Sequence, residues 1–84
     1  MISEDTCRAV VSAYREGDLS GWSSHRDGSH SIRLGDVATI RRASDGTFEF
    51  TMGRGWIPVL NIEWRSGIHI RFDGGTLIVD REVT

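Results

Sequence analysis

The apolar residues near the start of the chain recur at the spacing of an α-helix. One helical face would carry the apolar residues Cys7, Val10, Val11 and Tyr14. Ser3 can cap the helix N-terminus with its hydroxyl, and Gly17 favours a helix end because glycine readily adopts the left-handed conformation. The pattern predicts one amphipathic helix over about residues 3–16, whose narrow apolar face must pack against the rest of the protein.

From about residue 31 onward, the apolar spacing changes to the two-residue period of β-strands. Two clear alternating runs are Phe48-Phe50-Met52 and Leu60-Ile62-Trp64. Each run places apolar side chains on one face of a strand and polar side chains on the other. The predicted strands cover about residues 31–42, 47–52, 57–64, 68–72 and 76–81.

The last predicted strand differs from the others, because Leu77, Ile78 and Val79 make it apolar on both faces. Such a strand is typical of a central or covered position in a sheet, and we expect that position here. At the edge of a sheet, its unpaired backbone would instead favour pairing into a dimer. The sequence leaves monomer and homodimer open.

The glycine-containing turns set the register between the predicted strands. A three-residue loop with Gly46 in the left-handed conformation keeps the apolar faces together, and residues 65–67 favour a loop of the same kind. A two-residue turn fits at residues 74–75, whereas residues 35–36 are compatible with either a tight turn or a bulge. The resulting apolar pairs are Ile40–Phe50, Ala38–Met52, Trp64–Ile68, Ile62–Ile70, Phe72–Leu77 and Ile70–Val79.

These elements predict an α+β fold: one N-terminal amphipathic helix packed on an antiparallel meander sheet of about five strands. The chain has 84 residues, of which 38% are hydrophobic and 26% charged, which is typical of one folded domain covering residues 1–84. Residues 17–30 are predicted to form a polar connection from the helix to the sheet. On the outer face, the predicted register pairs Arg41 with Glu49, Glu63 with His69 and Asn61 with Arg71.

Charge and cysteine content narrow the classes of function. The net charge is −2, which disfavours non-specific nucleic-acid binding, although all ten basic residues are arginine. No apolar run approaches the roughly 18 residues of a membrane span, and the N-terminus lacks the layout of a signal peptide. The single cysteine, Cys7, falls on the apolar helix face, so we expect it in the core of a cytoplasmic protein.

The segment Ser24-His25-Arg26-Asp27-Gly28-Ser29-His30 is the richest in potential ligands. His25, Asp27 and His30 form a weak candidate metal site, because two histidines five residues apart can both bind zinc. A structural zinc site needs four ligands, however, and Cys7 is expected to be buried. The turn signal Asp27-Gly28 favours a polar connecting loop, and we expect no metal and no cofactor.

No arrangement of residues predicts catalysis. His25-Arg26-Asp27 matches a tripeptide of the protein-kinase catalytic loop, but the chain is too short for a kinase and has no lysine to hold phosphates. Ser29-His30 lacks the strand–turn–helix context of a serine nucleophile. A strand with a proline, and not a helix, follows the glycines of residues 53–55, which argues against a phosphate site there. We therefore expect a protein that is not an enzyme.

The candidate binding residues are Arg54 and Trp56, together with Trp22, Arg41 and Arg42. Arginine and tryptophan are the residue types most enriched at binding hot spots, and recognition is often placed on loops that a rigid sheet supports. The two-residue alternation places Trp56 among the inward-facing residues. The interpretation that competes with binding is therefore a position in the core or at the end of the sheet. Trp22, just after the helix, has the same ambiguity.

The leading functional hypothesis is a small non-catalytic protein-binding module. Small bacterial and phage proteins of this kind often inhibit host or defence enzymes, anti-CRISPR proteins among them, although no motif in the sequence carries that association. One alternative is a small metal-binding or ligand-binding protein that uses the loop of His25, Asp27 and His30. The other is a weak nucleic-acid binder that uses the arginines Arg41, Arg42 and Arg54.

Overall fold

The computed structural model describes residues 1–83, in which one helix precedes eight strands. The elements are α1 (Glu4–Glu16), β1 (Ser23–Ser24), β2 (His30–Leu34), β3 (Ala38–Arg42), β4 (Phe48–Thr51), β5 (Ile57–Pro58), β6 (Asn61–Trp64), β7 (Gly67–Phe72) and β8 (Gly75–Asp80). All neighbouring strands of the two sheets pair antiparallel. The predicted α+β class, with an N-terminal helix on antiparallel sheet, is confirmed.

Local sequence signals account for the bounds of α1. The Ser3 hydroxyl accepts a hydrogen bond from the Thr6 amide at 3.2 Å, which satisfies one of the free N–H groups of the first turn. Gly17 ends the helix with φ +72°, and its own amide donates to the Ala13 carbonyl at 3.0 Å. The face buried against the sheets contains Cys7, Val10 and Ala13.

The predicted antiparallel sheet of about five strands is present, and the structure adds a second, smaller sheet that the sequence did not predict. One sheet has the order β1-β2-β3-β4-β5 and the other β6-β7-β8. The predicted strand 57–64 changes sheets midway: the Val59 amide donates to the Phe48 carbonyl at 3.1 Å, and the Leu60 amide donates to the Arg71 carbonyl at 2.8 Å. Two consecutive amides thus bond to different sheets, just after Pro58, which has no amide to donate.

The predicted strand 31–42 is a hairpin of β2 and β3. Residues 35–37 form its turn, which settles the open choice between a turn and a bulge at residues 35–36. Gly35 has φ +58°, a conformation that glycine adopts without strain. The predicted polar connection 17–30 is also partly wrong, because Ser23–Ser24 pairs with β2 as strand β1.

Most of the predicted registers are confirmed. Ile40 lies opposite Phe50 with Gly46 at φ +92°, and Trp64 lies opposite Ile68. The last hairpin is shifted by two residues, because Phe72 lies opposite Gly75 and not opposite Leu77. A shift of two residues keeps every side chain on its predicted face, so the apolar alternation could not distinguish the two registers.

Three apolar residues predicted to face the core or a covering layer are exposed. Met52 and Leu60 are 54% and 55% exposed, because β4 ends at Thr51 and Leu60 lies at the change of sheets. Ile78 is 53% exposed, because β8 is an edge strand of its sheet. The predicted central or covered position of this strand is therefore wrong.

The two sheets and α1 share one core. Phe50 of the first sheet packs edge to face on Phe72 of the second, with 5.2 Å between ring centroids. On the helix side, Phe48 makes edge contacts with both Tyr14 and Trp22. Cys7 is fully buried in this core, as predicted, and burial raises the pKa of its thiol.

Candidate protein-binding surface

The face of the five-stranded sheet that points away from the core carries the polar row predicted from the sequence. Arg41 lies opposite Glu49, and Glu49 lies opposite Pro58. Because Phe50 lies opposite Ile57, the neighbouring Trp56 belongs to this outer face. The alternation of residues 56–64 predicted that Trp56 faces the core. That prediction is wrong, because β5 does not continue in register into β6.

Trp56 is held on the outer face by Arg41. The Arg41 guanidinium carbon lies 4.0 Å from the centroid of the Trp56 ring, a cation–π contact. The same guanidinium donates to the Glu49 carboxylate at 2.8 Å, and both charged side chains are about three-quarters buried. With 39% of its residue surface still exposed, Trp56 combines a fixed ring with an open apolar area.

The loop between β4 and β5, residues 52–56, extends the surface of Trp56. Gly53 and Gly55 have φ of +108° and +111°, conformations that side-chain-bearing residues rarely adopt. Between them Arg54 is exposed, and Met52 is exposed beside them. The loop therefore exposes one charged and one flexible apolar side chain within four residues of the tryptophan.

Arg33 of β2 lies further along the same face. It is opposite Thr39 of β3, which in turn is opposite Thr51 of β4. A shallow groove of about 270 Å³ runs here, and its lining includes Arg33, Met52 and the carboxylate-bearing Asp36. We call the whole surface the Trp56 face; its residues are Arg33, Thr39, Arg41, Glu49, Thr51, Met52, Arg54 and Trp56. Sequence reasoning missed Arg33, and it missed Met52 because the alternation assigned Met52 to the core.

Two of the predicted binding residues lie elsewhere. Trp22 is 8% exposed, and its indole N–H donates to the Ala9 carbonyl at 3.0 Å, so the ring is part of the core. Arg42 is adjacent to Arg41 in the chain but points to the opposite side of β3, near the β3–β4 turn and the Asp45 carboxylate. Of the five predicted residues, the structure brings together Arg41, Arg54 and Trp56.

The histidine-containing segment is the β1–β2 hairpin, and its polar groups hold the turn. Asp27 accepts hydrogen bonds from the amide and the hydroxyl of Ser29, at 2.9 and 2.6 Å. These two bonds stabilise the charged carboxylate and lower the pKa of Asp27. His25 is 2.7 Å from the Ser31 hydroxyl through its Nε2.

The hairpin separates the two histidines of the candidate metal site. His30 lies opposite Ser24, whereas His25 bonds to Ser31, whose side chain is on the other face of β2. Five residues of separation along an extended hairpin thus place the two imidazoles on opposite faces. Within residues 1–83 the structure contains no group of three or more histidine, cysteine, aspartate or glutamate side chains that could hold a metal ion.

Comparisons with known proteins found no matching family model, no matching curated protein and no matching solved structure. No helix within residues 1–83 is long and apolar enough to cross a membrane.

Proposed function

We propose that this chain is a small non-catalytic protein-binding module and that the Trp56 face is its binding surface. The observation that carries the proposal is the position of Trp56, an exposed aromatic ring fixed by Arg41 on the open face of a sheet and not packed into the core. Tryptophan and arginine dominate the binding energy at protein interfaces, and methionine is enriched there too.

The fixed geometry of Trp56 supports the proposal. A side chain that is already ordered loses less conformational entropy when a partner binds, which improves affinity at a given contact area. Glu49 and the Trp56 ring hold the Arg41 guanidinium from two directions, so ring and charge are positioned together before binding. The exposed part of the ring is then available to a partner.

Charge defines the kind of partner. Within residues 1–83, Arg33 and Arg54 form no ion pair, whereas Arg41 is paired with Glu49. The Trp56 face therefore carries two arginines that form no ion pair, together with the exposed apolar side chains of Trp56 and Met52. We propose a protein partner with a matching surface, apolar at its centre and acidic at its rim.

The narrower form of the proposal is that the partner is a bacterial enzyme or complex that this chain inhibits, in the way anti-CRISPR proteins act. It rests on the small size and acidic composition of the chain, and the place of action would be the cytoplasm. The nucleic-acid alternative is weaker, because the net charge is −2 and Arg42 lies away from Arg41 and Arg54.

The test is affinity capture from a bacterial lysate with three immobilised proteins: the wild type, the double variant Arg54→Ala/Trp56→Ala, and Leu60→Ala as a matched control. Leu60 is 55% exposed, close to the 54% of Met52, but lies at the change of sheets. We expect at least one protein to be retained by the wild type and by Leu60→Ala and lost from the double variant. Mass spectrometry identifies it, and titration calorimetry with the purified partner checks direct binding.

Folding of the double variant is checked separately. Loss of the cation–π contact and of partly buried ring area is expected to cost about 1–2 kcal/mol, which lowers the melting temperature by several degrees without unfolding the protein at 20 °C. Retention of the same proteins by the folded double variant would contradict the assignment of the Trp56 face. A low-salt gel shift that depends on Trp56 would favour the nucleic-acid alternative.

A further inference from the structure

The second sheet ends in a strand edge that the rest of the chain covers only at one end. β8 has β7 on one side, and on the other side, within residues 1–83, only Ile2 pairs beside it, as an isolated parallel bridge to Arg81. The Ile2 amide donates to the Asp80 carbonyl at 2.9 Å, and the Glu82 amide donates to the Ile2 carbonyl at 2.7 Å. The end of this edge therefore already pairs with one residue from within the chain.

The bridge shows which backbone groups of β8 point away from the sheet. The N–H and C=O of one strand residue point to the same side, and the side alternates along the strand. Since the Asp80 carbonyl points to Ile2, the N–H and C=O groups of Thr76 and Ile78 point to the same free edge. Four backbone groups in a row, together with the Asp80 amide, are thus available to an added strand.

A groove beside this edge adds side-chain chemistry. The outer face of the second sheet encloses about 420 Å³, lined by Asn61, Glu63, Arg65, His69, Arg71, Thr76 and Ile78. Glu63 is already bound, because the Asn61 amide donates to it at 3.2 Å and the Arg65 guanidinium at 3.1 Å.

Arg71 is the charge in this groove that has no partner. It is exposed and forms no ion pair within residues 1–83. Thr76 lies directly opposite Arg71 and is the only residue between Arg71 and the free edge in that row. Since neighbouring strands are about 5 Å apart, an acidic side chain on a strand added beside Thr76 can reach across it to Arg71.

We propose that the β8 edge binds an extended, acidic segment of a protein partner, which adds as a strand beside Thr76 and Ile78 and places a carboxylate over Arg71. Backbone hydrogen bonds supply the affinity, as in other cases of strand addition. Arg71 in the groove supplies the preference for an acidic side chain on the added strand. Ile78, 53% exposed on the groove face, offers an apolar contact to the same segment.

The occupant we propose is a different chain and not a second copy of this one. An antiparallel pair of β8 strands centred on Thr76 would place a threonine, and no carboxylate, opposite Thr76. A pair centred on Ile78 would place Thr76 of each copy against Asp80 of the other. Met1 and Ile2 lie along the edge at that point. A separate peptide strand needs only residues 75–79, which nothing covers in the part of the chain that the structure describes.

The test uses the whole protein and capped hexapeptides of alternating valine and threonine with one central glutamate or, as a matched control, one central lysine. Amide resonances are followed by NMR during titration to millimolar peptide. We expect the amides of Thr76 and Ile78 to shift and to exchange more slowly with solvent when the glutamate peptide is bound. The lysine peptide is expected to bind at least about fivefold more weakly.

Two variants separate the parts of this proposal. Arg71→Gln is expected to remove the preference for glutamate over lysine, and Arg26→Gln, at an exposed arginine of the β1–β2 hairpin outside both proposed surfaces, to leave it unchanged. A glutamate peptide with a methylated central amide is expected not to bind. Unchanged exchange at Thr76 and Ile78, equal affinities for the two peptides, or a wild-type dimer paired through β8 would each overturn the proposal. The Trp56→Ala variant is expected to bind the glutamate peptide with the affinity of the wild type. The proposal for the β8 edge and the proposal for the Trp56 face can therefore be refuted independently.

Discussion

Three aspartates in turns accept hydrogen bonds from residues two positions further along the chain. The amides of Ser20, Ser29 and Thr47 donate to Asp18, Asp27 and Asp45 at 3.0, 2.9 and 2.9 Å. In each case the hydrogen bonds to the carboxylate lower its pKa. These carboxylates stabilise the turns that lead into β1, β2 and β4, and the physical role of Asp27 is therefore local.

The lowered pKa of Asp27 predicts a pH-dependent effect of Asp27→Asn. A carboxylate whose folded pKa is lowered stabilises the fold above its unfolded pKa of about 3.9 and loses that effect as the pH falls through the folded value. We therefore expect Asp27→Asn to unfold at a lower urea concentration than the wild type at pH 7. The difference should shrink as the pH falls below about 4.

Asp36→Asn is the control for this experiment, because the Asp36 carboxylate accepts no hydrogen bond within residues 1–83. Its urea midpoint is expected to equal that of the wild type at pH 7. A constant difference between Asp27→Asn and the wild type from pH 7 down to pH 3 would contradict the assigned role of Asp27.

The pairing of strands depends on single glycines at close approaches. Gly67 begins β7 opposite Asp80, and a Cβ atom at this position would overlap the Val79 carbonyl oxygen. Its backbone does not have positive φ, so the glycine is needed for space and not for a left-handed turn. The predicted left-handed Gly67 in the 65–67 loop is wrong for this reason, although the predicted pairing of Trp64 with Ile68 is correct.

Gly67→Ala is accordingly expected to separate β7 from β8 and to destabilise the protein. Overpacking typically costs about 1–3 kcal/mol, and a clash with backbone leaves little room for relaxation, so we expect at least about 2 kcal/mol. Urea unfolding of Gly67→Ala and of the exposed neighbour Ser66→Ala measures the difference. Equal midpoints for the two variants would show that β8 does not approach Gly67 as closely as the structure has it.

At the scale of the whole molecule, contacts between sheets and between the chain ends hold two small sheets in one unit. Phe50 and Phe72 join the sheets, and the Arg81 guanidinium donates to the Glu4 carboxylate at 2.7 Å, which ties the end of the second sheet to the start of α1. The second sheet lies within residues 61–80, well below the roughly 40 residues under which a chain usually cannot fold alone, so it depends on the shared core.

The shared core predicts that both sheets unfold together. We expect the slowest-exchanging amides of the two sheets, such as those of Ile40 and Ile70, to report the same free energy of opening, equal to that of global unfolding. Hydrogen exchange at increasing urea concentrations measures both. A distinctly smaller opening free energy at Ile70 than at Ile40 would mean that the second sheet unfolds separately.

The sequence by itself determined the features that depend on neighbouring residues. The period of apolar residues and the caps at Ser3 and Gly17 define α1, because helix bonds join residues only four apart. The left-handed turn at Gly46 fixed the pairing of Ile40 with Phe50 for the same local reason. For the candidate surface, the sequence was sufficient to select Arg54 and Trp56 by residue type. It was also sufficient to predict that Arg41 pairs with Glu49.

Only the tertiary structure decided which strands are neighbours and which faces are open. The change of sheets after Pro58 moved Trp56 to the outer face beside Arg41, left β8 at an edge, and added a second, smaller sheet. A two-residue alternation shows which residues share a face of a strand. It does not show whether the core or the solvent lies against that face. That choice depends on backbone partners far apart in the sequence, which only the folded chain brings together.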